Sequence, residues 1–135
     1  MKTSVLIRNA RTADGSAPVD LLVSGGVIAA KAPAGTLPED AAEKVLDASG
    51  KLVLPGLFDL HAHLCQPGRE DKERVATATA AALHGGVTGL MAMPDTDPVM
   101  DNAAQITTFM EICRTDALVE VSPSGCLTKG DGGEE

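Results

Sequence analysis

Large aromatic side chains are almost missing from this chain of 135 residues, which has two Phe and neither Trp nor Tyr. Any core must be built from Val, Leu, Ile, Ala and Met, without the rigid anchors that often organise protein interfaces. Basic charge is also scarce, with 11 Lys and Arg against 19 Asp and Glu and a formal net charge of -8. That balance excludes a nucleic-acid binder, which needs surplus cations to displace counterions from phosphates. No stretch nears the roughly 18 consecutive apolar residues of a membrane span, and no basic segment leads into an apolar one at the start, so neither spanning nor export is expected. Cys65, Cys113 and Cys126 are odd in number and lack Cys-x-x-Cys spacing. They exclude a disulfide framework and fit a reducing cytoplasm.

What remains is 44% hydrophobic, enough for a sizeable core. Residues 1–55 carry short apolar runs broken by turn formers. Strands are expected at 4–7, 20–23, 27–29, 44–46 and 51–54, with Gly25-Gly26 as a hairpin turn. A boundary is expected near Pro55-Gly56. Beyond it the rhythm becomes strand, helix, strand: an apolar run at 57–60, an Ala-rich helix at 72–83 closed by His84-Gly85-Gly86, and a strand at 87–93 stopped by Pro94. Asp101 or Asn102 is placed to cap a second helix reaching Arg114, whose Ile106, Phe109, Met110 and Cys113 form an apolar stripe. A third strand is expected at 117–121. Strands and helices alternating in this way indicate βα units of a parallel sheet. Three strands do not close a barrel, which needs eight.

The chemistry concentrates in His61 and His63, a His-x-His pair directly after Leu57-Phe58-Asp59-Leu60. In a strand, side chains two apart share a face, so both imidazoles can address one metal ion; the alternative is two strand-end histidines with ordinary hydrogen bonds. Asp59 shares that face, and its options are metal ligand, support for an imidazole, or acceptor for nearby backbone amides. Cys65 continues the alternation and reads as a small buried side chain or a further ligand. In Met93-Pro94-Asp95-Thr96-Asp97-Pro98, Asp95 or Thr96 is positioned to address a polar substrate, or else the segment is a turn with carboxylates on backbone amides. His84 and Lys72 read as structural and solvated, and the mixed-charge run from Arg69 to Arg74 as a loop or first helical turn.

In this order the motifs resemble the N-terminal portion of the dihydroorotase family in the amidohydrolase superfamily. Asp47 through Gly56 resembles the junction between a small β domain and a barrel, and Phe58-Asp59-Leu60-His61-Ala62-His63-Leu64 the first barrel strand. Gly85-Gly86-Val87-Thr88, Met93 through Val99 and Leu127-Thr128-Lys129-Gly130 match further family landmarks. The resemblance implies an α/β fold: residues 1–55 a β-sandwich-like segment, and residues 56–135 the first three βα units of a metal-dependent-hydrolase TIM-like barrel, left incomplete.

It further implies zinc-dependent hydrolysis of a cyclic amide, dihydroorotate to N-carbamoyl-aspartate in pyrimidine biosynthesis, with His61 and His63 on Zn²⁺. A complete member has one or two Zn²⁺ and further ligands, often including a carboxylated lysine, for which Lys129 comes too early. The family commonly has Arg where this chain has Cys65 and Asn where it has Asp95. These two substrate-site positions then weaken recognition of a substrate carboxylate. Residues 1–135 alone are expected to be inactive. The alternatives are a non-catalytic partner of aspartate transcarbamoylase and a truncated product without stable function; homo-oligomerisation is the other partnership the resemblance offers.

Overall fold

The structure, a computed structural model, describes residues 3–133. The chain divides into two compact units, Met1–Pro55 and Gly56–Glu135.

In the first unit β1 (Val5–Thr12), β2 (Val19–Ser24), β3 (Val27–Pro33) and β4 (Lys44–Asp47) line up in the order β3-β2-β1-β4, and β5 (Leu52–Val53) pairs with the far end of β1. The β2–β3 hairpin closes through Gly25 and Gly26, both at positive φ, which suits a two-residue turn between twisted strands. Strand β1 runs well past the expected residue 7. Asn9, at φ 58, forms a bulge, and its N–H donates to the Asp20 carboxylate, so pairing resumes at Ala10 with Val19. The polar Arg8-Asn9 step reads locally as a strand end; a carboxylate from the neighbouring strand turns it into a bulge.

Asp20, on β2, is fully buried. Burial, the largest single influence, raises its pKa, but the amides of Asn9, Gly35 and Leu37 and the nearby Arg8 together outweigh it and hold the carboxyl below its ordinary value. A depressed folded pKa means stability that is complete above the unfolded value of about 3.9 and is lost as pH falls through the folded value. Urea unfolding should therefore show stability falling on acidification below about pH 4. Asp20→Asn should flatten that dependence and cost about 1–3 kcal/mol at neutral pH, since its NH₂ faces amides that need an acceptor.

In the second unit β6 (Leu57–Ala62), β7 (Val87–Ala92) and β8 (Glu120–Pro123) form a parallel sheet in that order, with α1 (Val75–His84) and α2 (Ala103–Asp116) as the crossovers. Its core joins Leu64, Val75, Leu90, Met100, Phe109 and Val121. Helix α1 begins three residues later than expected because the side-chain oxygen of Gln66 accepts from the N–H of Val75 at 3.0 Å. Asn102, rather than Asp101, caps α2 by accepting from Ala104 and Gln105; Asp101 instead receives the N–H of Gly130. The third strand also starts later than residue 117, because α2 continues to Asp116 and the N–H of Ala117 still bonds Cys113. Among the described residues no helix is long and apolar enough to cross a membrane.

Leu57, Phe58 and Leu60 on β6 are 57%, 48% and 70% exposed. Parallel strands ordinarily have both faces covered, so these side chains mark surface that a closed barrel would bury.

Candidate metal centre

Parallel pairing brings the C-terminal ends of the three strands to one rim. Ala62 is in register with Ala92, the N–H of Met93 donates to Ala62 at 2.9 Å, and that of Ser124 donates to Ala92 at 2.9 Å. Residues leaving β6 and β7 therefore meet at the end where barrel active sites gather.

There the two imidazoles converge, with ring centroids 5.0 Å apart and planes tilted by 57°. Their Nε2 atoms lie 3.1 Å apart. His63 sits one residue past the end of β6, so strand alternation carries only His61, and the loop directs its partner. Two nitrogens bound to one tetrahedral cation at about 2.05 Å would be roughly 3.3 Å apart, so the donor pair fits a shared metal ion. Among the described residues no group of three or more His, Cys, Asp and Glu is arranged to hold a metal; the pair is a partial set.

On its other side Nδ1 of the His63 ring lies 2.9 Å from Oδ2 of Asp95. The Sγ of Cys65 is 4.0 Å from the same oxygen, and Cys65 is buried in a left-handed turn at φ 60. Burial, then the Asp95 charge, raises the thiol pKa, keeping Cys65 in its neutral form. Oδ1 of Asp95 is buried with no hydrogen-bond partner among the described residues.

The remaining candidates separate. Asp59 accepts the backbone N–H of His61 at 3.0 Å, so of its three options the backbone one is realised. Thr96 is buried, and its hydroxyl donates to the carbonyl of Pro98, locking the loop and facing no solvent. His84, the exposed last residue of α1, precedes the N-terminal end of β7, opposite the rim. Lys72 and Lys129 are exposed.

The loops bearing the site are tied together by a contact that residue types alone do not reveal. The N–H of Asp97 donates to Pro67 at 2.9 Å, and Gly68, at φ +92, passes so close that a Cβ there would lie 2.0 Å from the Asp97 carbonyl. Only glycine fits this approach. The His63–Asp95 pairing was equally hidden, because it joins positions 32 apart in the chain.

An α/β unit with parallel strands, crossover helices and a His-x-His pair at the C-terminal rim of its first strand is the opening of an amidohydrolase TIM-like barrel, with three of its strands present. L-hydantoinase (dihydropyrimidinase) of Arthrobacter aurescens superimposes with a TM-score of 0.84 at 26% identity, over 95% of this chain and 29% of that one. Residues 50–135 match the family model described as Dihydro-orotase-like, and the chain belongs to that family. The dihydroorotase of Pelotomaculum thermopropionicum is 47% identical over 86% of this chain and 26% of its own length. That of Geotalea daltonii is 42% identical over 97% of this chain and 31% of its own. The chain thus spans under a third of the length of each of these three proteins.

Proposed function

We propose that His61 and His63 are two of the ligands of a divalent metal ion, Zn²⁺, in a protein that hydrolyses a cyclic amide. The carrying observation is the 3.1 Å approach of the two Nε2 atoms at the strand rim. When bound, the ion supplies Lewis-acid polarisation and an activated water. This chain's residues contribute the rest of what is described: the imidazoles bring two ring nitrogens to one point, and the interlocked Pro67 and Asp97 loops hold the rim in shape. Dihydroorotate, opened to N-carbamoyl-aspartate in pyrimidine biosynthesis within the cytoplasm, is the substrate favoured by the identity to dihydroorotases. Cys65 and Asp95 line the substrate side and replace a carboxylate clamp with a neutral thiol and an anion, so affinity for the ring carboxylate should be weak.

Ring opening should be assayed with the 135-residue chain and with the longest product of its reading frame. A product of that frame that carries further ligands should open dihydroorotate only with divalent metal, and the chain alone should not, because one ligand pair does not assemble water, substrate and proton acceptor. Metal-independent opening would contradict the proposal, and turnover by residues 1–135 would contradict only the expected inactivity of this chain alone.

A further inference from the structure

We infer that Asp95 is the positioning residue of the metal pair, holding the His63 ring in the tautomer whose Nε2 carries a lone pair. The inference rests on the reading of His61 and His63 as metal ligands and reassigns Oδ2 of Asp95 from the substrate to the imidazole. A neutral imidazole carries one proton, and the nitrogen that keeps it is set by the hydrogen bond the other makes. Here Nδ1 lies 2.9 Å from a carboxylate oxygen, an acceptor only, so the proton sits on Nδ1 and Nε2 is bare. The bare nitrogen is the one facing His61.

Three features fit Asp95 to this task. The bond is charge-assisted and joins side chains that are 54% and 31% exposed, so it orients a ring that packing does not grip. Oδ1 is buried and receives no donor from the described residues, which leaves the carboxylate's charge directed at one imidazole. The thiol of Cys65, 4.0 Å from Oδ2, is a weak donor and competes little with the imidazole for that oxygen. A carboxylate behind a ligating imidazole also raises the basicity of the ligand, and loss of such a partner typically weakens metal binding roughly 10–100-fold.

The test uses the whole 135-residue chain without metal, reading the His63 ring nitrogens by long-range ¹H–¹⁵N correlation above the range where histidine is protonated, and then titrates Zn²⁺ against a chromophoric chelator. In the wild type, Nδ1 should be the protonated nitrogen. Asp95→Ala should release the ring to a mixture of tautomers and weaken Zn²⁺ binding roughly 10–100-fold. Asp95→Asn keeps a carbonyl acceptor; it should restore the tautomer and part of the affinity, and serves as the reading if the alanine variant loses its fold. A wild-type His63 protonated on Nε2, or a tautomer indifferent to both substitutions, would overturn the inference. A tautomer that responds as stated in a chain that binds no Zn²⁺ would support the hold of Asp95 on His63 and refute the metal reading instead.

Discussion

Replacing His61 and His63 together with alanine should abolish Zn²⁺ retention while leaving the unfolding transition almost unchanged. Both rings are exposed, so their removal opens no core cavity. Each single variant leaves a lone imidazole, which competes poorly with water for a cation. The single losses should therefore exceed the roughly 10–100-fold that removing an outer partner costs, and the double variant should add little to the larger of them. Equilibrium dialysis with metal analysis, beside thermal melts, checks both halves. Retention of one equivalent of Zn²⁺ by the double variant would move the site elsewhere.

Phe109→Ala should have the largest effect on folding. Phe109 is fully buried at the centre of the second unit's core, against a sheet of only three strands. Truncating a buried Phe costs about 3–5 kcal/mol through lost transfer energy and the cavity left behind. Domains are stable by only about 5–15 kcal/mol, so most of the second unit's margin should disappear. Phe58→Ala provides the contrast. That ring is half exposed on β6 and packs over Gly89, so its loss should cost much less. Denaturant melts of the two variants compare them directly, and equal costs would mean that the core is centred elsewhere.

The parts of the fold that were legible in the sequence are those set by local chemistry. The Gly25-Gly26 hairpin, the glycine-closed end of α1, the apolar stripe of α2 with Phe109 and Cys113 inward, and the run of β6 all follow from periodicity and turn residues. Two of the errors fall where a distant side chain supplies what the local sequence lacks. Asp20 extends β1 by receiving Asn9, and Gln66 sets the start of α1 by receiving Val75. The site divides in the same way. Adjacency identifies His61 and His63 as a pair, whereas the partner of His63 is delivered by β7, and nothing in the 57–66 stretch points to Asp95. Likewise Asp59, equally suited by sequence to a metal or to an amide, is committed by the 3.0 Å bond to the His61 N–H.

Anomalous diffraction from crystals of this chain grown with Zn²⁺, recorded on both sides of the zinc absorption edge, addresses the shared cation most directly. The expected result is one peak about 2.0–2.1 Å from Nε2 of His61 and of His63, with Nδ1 of His63 still bonded to Asp95. A peak bound through only one of the two rings, or an empty rim with both Nε2 atoms hydrogen-bonded to each other, would contradict it.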